Sequence, residues 1–113
     1  GLAGLHCNRG EWAAGLAAAR RGRRIARAAN NAAAIAVATH WIGKNLASAG
    51  DLERGLDSLV TAARMAEATG ESSRASHYAS TVTLVAVLSG NEAIARSWAA
   101  IAASSGRSTG SKP

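Results

Sequence analysis

Cysteine, proline, phenylalanine and lysine are almost missing from this chain, and each absence excludes something. Cys7 is the single cysteine, so no internal disulfide can form and the redox compartment is left open. The one proline is the last residue, Pro113, so no ring interrupts a helix anywhere before it. Phenylalanine is absent, and three Trp and one Tyr make up the whole aromatic complement. Hydrophobic residues nevertheless reach 48%. A core built largely of alanine brings backbones close together, which suits packed helices better than sheets. No apolar run approaches the ~18 residues of a membrane span, so no membrane partner is expected and the protein is read as cytoplasmic.

Lysine occurs only as Lys44 and Lys112, so arginine supplies the rest of the thirteen basic residues. Set against seven acidic residues, they give a net charge of +6 and a pI near 11.1. Such a balance admits acidic partners, but it bears on association and solubility rather than on fold. Together with the alanine and glycine richness, the arginine bias suggests a GC-rich bacterial coding sequence. At 113 residues the chain has room for one small domain with a modest core. The opening residues Gly1 to Cys7 superficially resemble a lipoprotein cleavage box, but His6 stands where a small residue is needed and no basic segment precedes it. The missing initiator methionine and the apparent mid-helix opening suggest an excerpt from something longer.

The stretch from Gly43 to Arg64 organises what is there. Ile42 and Leu46 lie one helical turn apart, with Gly43 beside them where a second backbone can approach closely. Gly50 offers the left-handed residue that ends a helix, and Asp51 can accept the unpaired N–H groups that begin the next. Leu52, Gly55, Leu56, Leu59, Ala62, Ala63 and Ala66 then recur at three- and four-residue steps, one face of a helix. The spacing predicts a helix–turn–helix hairpin.

Glycine followed by a polar residue recurs at Gly10-Glu11, Gly50-Asp51 and Gly90-Asn91, forty residues apart each time. On that register Leu2–Asn8 is expected to be the tail of a helix ending at Gly10. A second helix follows from about Glu11 to Ala29 with Trp12, Gly15, Leu16, Ala19, Gly22 and Ala26 on one stripe. Asn30-Asn31 breaks it. A third spans Ala32–Ala49, with Ile35, Ala38, Ile42 and Leu46 inward, and its counterpart spans Glu71–Ser89, with Ala75, Tyr78, Ala79, Val82 and Ala86 inward. The run Ser80 to Leu88 is rich in β-branched residues and would pass for a buried strand, but the register requires a helix there. The last helix runs from Asn91 to about Ser104, its stripe of Ile94, Trp98 and Ile101 about one residue out of step. The domain is therefore placed at 1–104. Residues 105–113, all Gly, Ser, Thr, Arg, Lys and Pro, are expected to be a flexible basic tail.

The central hairpin resembles the tetratricopeptide repeat: a small residue in the first helix (Gly43), a glycine–acidic corner (Gly50-Asp51), a small residue early in the second helix (Gly55), then a large apolar residue and an alanine (Leu59, Ala62). Thr39 stands where the family usually has tryptophan and Glu67 where it often has proline. The period exceeds the usual ~34 residues, so the resemblance is to a longer, roughly forty-residue variety found in large bacterial regulators; a HEAT-like array is the competing reading. What the resemblance implies is an all-α, α-solenoid architecture of five to six helices in antiparallel hairpins. It also implies a protein- or peptide-binding role in a larger regulatory or scaffold protein. The first helix of each pair would line the groove, through Val37, His40, Lys44, Ala47 and Ser48, then His77, Ser80, Leu84, Val87 and Leu88. The family's clamp for a peptide's terminal carboxylates needs several Lys, Asn and Arg on these faces. Only Lys44 qualifies, so a chaperone-tail ligand is not expected.

Chemistry finds little footing. His6, His40, His77 and Cys7 are the only transition-metal ligands of the usual kinds, and His6 and Cys7, being adjacent, point about a hundred degrees apart on a helix. No metal site and no cofactor are expected. No phosphate loop and no nucleophile in a strand–turn context occurs, so an enzyme is not the expected class. The one concentrated charge feature is Arg20, Arg23, Arg24 and Arg27, at i, i+3, i+4 and i+7 on one helix face. As a functional feature it would bind nucleic acid through phosphates. The plainer reading is a solvated face near a helix C-terminus, where arginine complements the macrodipole, and the lack of interleaved aromatics favours it.

Overall fold

A computed structural model describes the backbone of residues 2–110 and the side chains of residues 11–103. Five helices follow one another: α1 (Leu2–Ala28), α2 (Ala32–Ser48), α3 (Leu52–Ala68), α4 (Ser72–Leu88) and α5 (Glu92–Gly110). Each packs against the next in the chain, and no strand occurs among the described residues. The β-branched run of Ser80 to Leu88 lies inside α4 as the register requires.

One corner is used four times, at intervals of twenty residues. Asn30, Gly50, Gly70 and Gly90 are the only described residues with positive φ. At each, the N–H of the following residue bonds back to the carbonyl of a residue five places earlier: Asn31 to Ala26, Asp51 to Leu46, Glu71 to Ala66 and Asn91 to Ala86, at 2.8–3.2 Å. The left-handed residue's own N–H reaches a carbonyl three places back, which completes a Schellman closure of the helix end. The residue after the corner also starts the next helix. The Asn31, Asp51 and Asn91 side chains accept the N–H groups of Ala34, Arg54 and Ile94 at 3.1, 3.2 and 3.1 Å. Glu71 makes no such cap; its carboxylate accepts from Arg74 at 2.8 Å and from the Thr69 hydroxyl at 3.2 Å.

Because the corner occupies so few residues, consecutive helices must fold back on one another, and the stripes predicted from spacing become the core. Leu56, Leu59, Ala62, Ala63 and Ala66 of α3 and Ala75, Tyr78, Ala79, Val82 and Ala86 of α4 are buried. α2 and α3 cross where both carry glycine. A Cβ on Gly43 would lie 2.9 Å from the Gly55 carbonyl oxygen, and one on Gly55 would lie 2.8 Å from both the Gly43 oxygen and the Ala47 nitrogen. In α5, Ala95 keeps the place of Gly55 while buried Trp98 falls at the register of Ser58, which accounts for the slipped stripe.

One expectation changes. The break at Gly10-Glu11 is absent: α1 is one helix from Leu2 to Ala28. Glycine costs only ~1 kcal/mol inside a helix, so a glycine–acidic pair permits a corner without forcing one. The expected tail at 105–113 lies outside the described side chains, though helical backbone continues past Ser104 to Gly110.

Candidate functional site

The sequence that forms α2 and α4 turns one face of each toward a shared cleft of about 720 Å³. Val37, Trp41 and Lys44 stand at i, i+4 and i+7 on α2, so three successive turns present to one side. Across from them are Ser73, Arg74, His77 and Tyr78 of α4, with Glu71 at its cap. The floor is a ring stack: His40 lies on Tyr78 with centroids 4.0 Å apart and planes inclined by 9°. His77 stands 5.5 Å from His40, and Trp41 meets it edge-on at 6.2 Å. At the rim, the Lys44 ammonium sits 4.7 Å over the Trp41 ring, and that ring is itself half exposed.

His40 is the unusual member. It is only 3% exposed, and neither ring nitrogen has a hydrogen-bond partner. Burial, with the nearby His77 and Lys44 charges adding to it, lowers its pKa from 6.5 to about 4. The ring is therefore neutral at pH 7. Burial also raises the Tyr78 phenol above its ordinary value, with Arg74 pulling the other way.

Beyond Lys44 the surface continues into a smaller depression of about 250 Å³ lined by Ala47, Ser48, Leu52, Thr81, Leu84, Val85 and Leu88. Leu84, Val87 and Leu88 are large apolar side chains, each about three-fifths exposed. Of the groove residues expected from sequence, Val37, His40, Lys44 and His77 meet in the first cleft, and Lys44, Ser48, Leu84 and Leu88 in the second. Ser80 meets neither. It is exposed, its hydroxyl donates to the Ser76 carbonyl at 3.1 Å, and its neighbour Thr81 faces the depression instead. His40 is a floor residue rather than an exposed contact. Sequence reasoning missed Trp41, although it stands between Val37 and Lys44 on the same stripe. It also missed the Glu71–Arg74 pair, whose approach to Trp41 depends on how α4 lies beside α2.

The arginine face lies elsewhere, between α1 and α3. Arg20 and Arg23 line a small cavity with Ile42, Leu46, Arg54, Asp57 and Ser58, while Arg24 and Arg27 are exposed outside it. Partial burial, then the charges of Arg27 and Arg20, hold the Arg23 guanidinium below its usual pKa. Among the described residues none of the four arginines joins an ion pair. No group of three or more metal-ligating side chains clusters among the described residues, and His6 and Cys7 lie outside the described side chains. No described helix is long and apolar enough to cross a membrane. Comparison with protein-family models, with curated proteins and with solved structures finds no match.

Proposed function

We propose that this chain is a protein-binding helical-repeat segment of tetratricopeptide type, part of a larger bacterial regulator or scaffold, and that its ligand is an amphipathic helix laid along α2 and α4. One observation carries the reading. The cleft over the His40–Tyr78 stack and the exposed Leu84–Leu88 strip form a continuous surface, joined at Lys44, which lines both. Large exposed apolar residues gathered on one face are a feature of interaction surfaces. Polar groups concentrate at the other end, where Lys44, Arg74 and His77 stand near a single carboxylate, Glu71. The complementary ligand carries leucine-like anchors one or two turns apart at one end and acidic residues at the other, a helix-in-groove mode.

Selection of binders from a library of amphipathic helices tests this. Peptides that bind are expected to lose at least about tenfold in affinity, roughly 1.4 kcal/mol, against either Trp41→Ala or Leu84→Ser. Leu84 is largely exposed, so Leu84→Ser should barely change the melting temperature; Trp41 is half buried against His40 and Lys44, so its variant is compared at a temperature where a melting curve shows it folded. Binders indifferent to both variants would refute the groove.

The arginine face is assigned the plainer role of a solvated surface. Association with a generic DNA duplex at physiological salt is expected to be no tighter than ~100 μM, the weak end of non-specific binding. Replacing Arg20, Arg23, Arg24 and Arg27 together with Gln should leave peptide affinity unaltered. Micromolar duplex binding that falls steeply with salt, and that the four substitutions abolish, would reverse the assignment in favour of nucleic acid.

A further inference from the structure

The arginine face has an inner edge. Arg20 and Arg23 border a hollow of about 250 Å³ between α1 and α3, and Arg24 and Arg27 lie exposed outside it. Arg54, Asp57 and Ser58 border it from α3, and buried Ile42 and Leu46 of α2 supply its apolar lining. The forty-residue register shows what the repeat elsewhere puts in that place. Shifted by forty, Arg20, Arg23, Ile42, Leu46, Arg54 and Ser58 become Val60, Ala63, Val82, Ala86, Ile94 and Trp98. All six belong to or pack against the main apolar core, where Ala63, Val82 and Ala86 are fully buried and Trp98 is 5% exposed. An indole therefore fills the later repeat where Ser58 leaves room, and three arginines stand at places that are apolar there.

Positive charge is left over in the hollow. Three guanidinium groups meet one carboxylate, Asp57, so the lining carries a net +2. All seven acidic side chains of the chain lie among the described residues, and none of them forms an ion pair with Arg20 or Arg23. Arg54 meets only Asp51, at 3.4 Å. Arg23 is half-buried, and its burial together with the charges of Arg27 and Arg20 already disfavours its cationic form. An anion in the hollow would relieve that repulsion. Guanidinium forks grip the oxygens of a phosphate in pairs, and a phosphate monoester carries about −1.5 to −2 at pH 7. The volume is below the ~300 Å³ at which ordinary ligand pockets begin, so it takes one charged group rather than a whole organic ligand. We propose that the Arg20–Arg23–Arg54 hollow binds a phosphate monoester dianion. The site shares no residue with the α2–α4 surface and does not depend on the ligand proposed there. Arg24 and Arg27 keep their solvated role.

The probes are inorganic phosphate and a capped phosphoserine, titrated into the isotopically labelled full chain at constant ionic strength and about pH 7.5, where the dianion predominates. Both are expected to give saturable shifts centred on Arg20, Arg23, Arg54 and Ser58, with acetate giving none. Tighter binding of phosphoserine assigns the monoester to a phosphorylated side chain of a partner, and tighter binding of phosphate assigns it to a small free molecule. Arg23→Gln and Arg54→Gln, on different helices, should each weaken binding at least about tenfold, the scale of one charge-assisted contact. Arg24→Gln removes the same charge from the same helix outside the hollow and should change affinity less than about twofold. Asp57→Asn, which deletes the one opposing charge from an exposed position, should tighten it. Melting curves verify that each variant is folded. Shifts that follow ionic strength rather than phosphate, a loss in Arg24→Gln as large as in Arg23→Gln, or no gain in Asp57→Asn would each overturn the inference.

Discussion

Gly55→Leu is expected to lower the melting temperature by about 10 °C or more, since overpacking costs ~1–3 kcal/mol and each kcal/mol moves a domain of this size by roughly 4 °C. The upper end applies because what a Cβ meets is backbone. At Gly55 it would lie 2.8 Å from the Ala47 nitrogen and the Gly43 oxygen, and at Gly43 it would lie 2.7 Å from the Leu59 side chain. A flexible side chain can swing away, but two helix backbones must separate along their length. The same reasoning ranks the other glycines. At Gly15 the obstacle is the Asn45 side chain, with its Oδ1 at 2.5 Å. Asn45 can yield by giving up its bond to the Trp41 carbonyl, so Gly15→Ala should cost far less than Gly55→Ala. Gly22 has nothing within 4 Å, and Gly22→Ala should be neutral or stabilising by up to ~1 kcal/mol through helix propensity. Gly70 is also open but has φ +75°, so Gly70→Leu carries left-handed strain of ~1–2 kcal/mol. Melting curves for Gly55→Ala and Gly22→Ala that coincide would refute the crossing.

That pair of glycines marks how far the sequence could be read. Gly43 and Gly55 are recognisable as small residues on facing stripes, and Gly50-Asp51 as a helix end joined to a helix start. Local chemistry is sufficient for both, because capping and close approach each leave a residue-type trace. The α4 helix was legible only through the repeat, since the residues of Ser80 to Leu88 taken alone favour a strand. Gly10-Glu11 carries the same trace as Gly50-Asp51 yet lies inside α1; a corner is decided by what packs on either side, and sequence spacing does not report that. The twenty-residue interval was open to reading at Gly70-Glu71, which carries the same glycine–acidic trace midway between Gly50 and Gly90 and which the forty-residue register passed over. Only Asn30, which takes the left-handed place that glycine holds elsewhere with φ 54°, leaves no glycine to find. The site was half legible: positions on α2 followed from helical periodicity, whereas the stacking of His40 on Tyr78 depends on the distance between two helices that are not neighbours in the chain.

His40 gives the second large effect. Its pKa is about 4 in the folded chain against an ordinary 6.5, so the folded state prefers the neutral ring. The contribution to stability is complete above the unfolded pKa, declines as pH falls through the interval between the two values, and is gone below about 4. At ~1.36 kcal/mol per pKa unit the whole effect is about 3 kcal/mol, of which roughly 2 should be lost between pH 7 and pH 5. The cause is geometric. No carboxylate reaches either ring nitrogen, the nearby His77 and Lys44 disfavour a charge on the ring, and Glu71 is engaged with Arg74 at 2.8 Å. His40→Phe, which retains a ring to stack on Tyr78, should remove most of that slope, while His77→Gln should leave it largely in place. Denaturant midpoints measured from pH 7 to pH 5 decide the matter, and a slope unchanged in His40→Phe would contradict the buried, unpaired imidazole.

If the ligand lies along α2 and α4, it shields His40 further, so binding should hold through pH 5 and weaken only as pH falls toward about 4, where the ring protonates in the folded chain and its floor loosens. The most direct measurement is amide chemical-shift mapping of the isotopically labelled chain with a selected helical ligand. The proposed reading requires the largest shifts at Val37, Trp41, Lys44, His77, Leu84 and Leu88, with Arg20, Arg23, Arg24 and Arg27 unmoved. Shifts centred on the four arginines, with the α2–α4 surface silent, would contradict it.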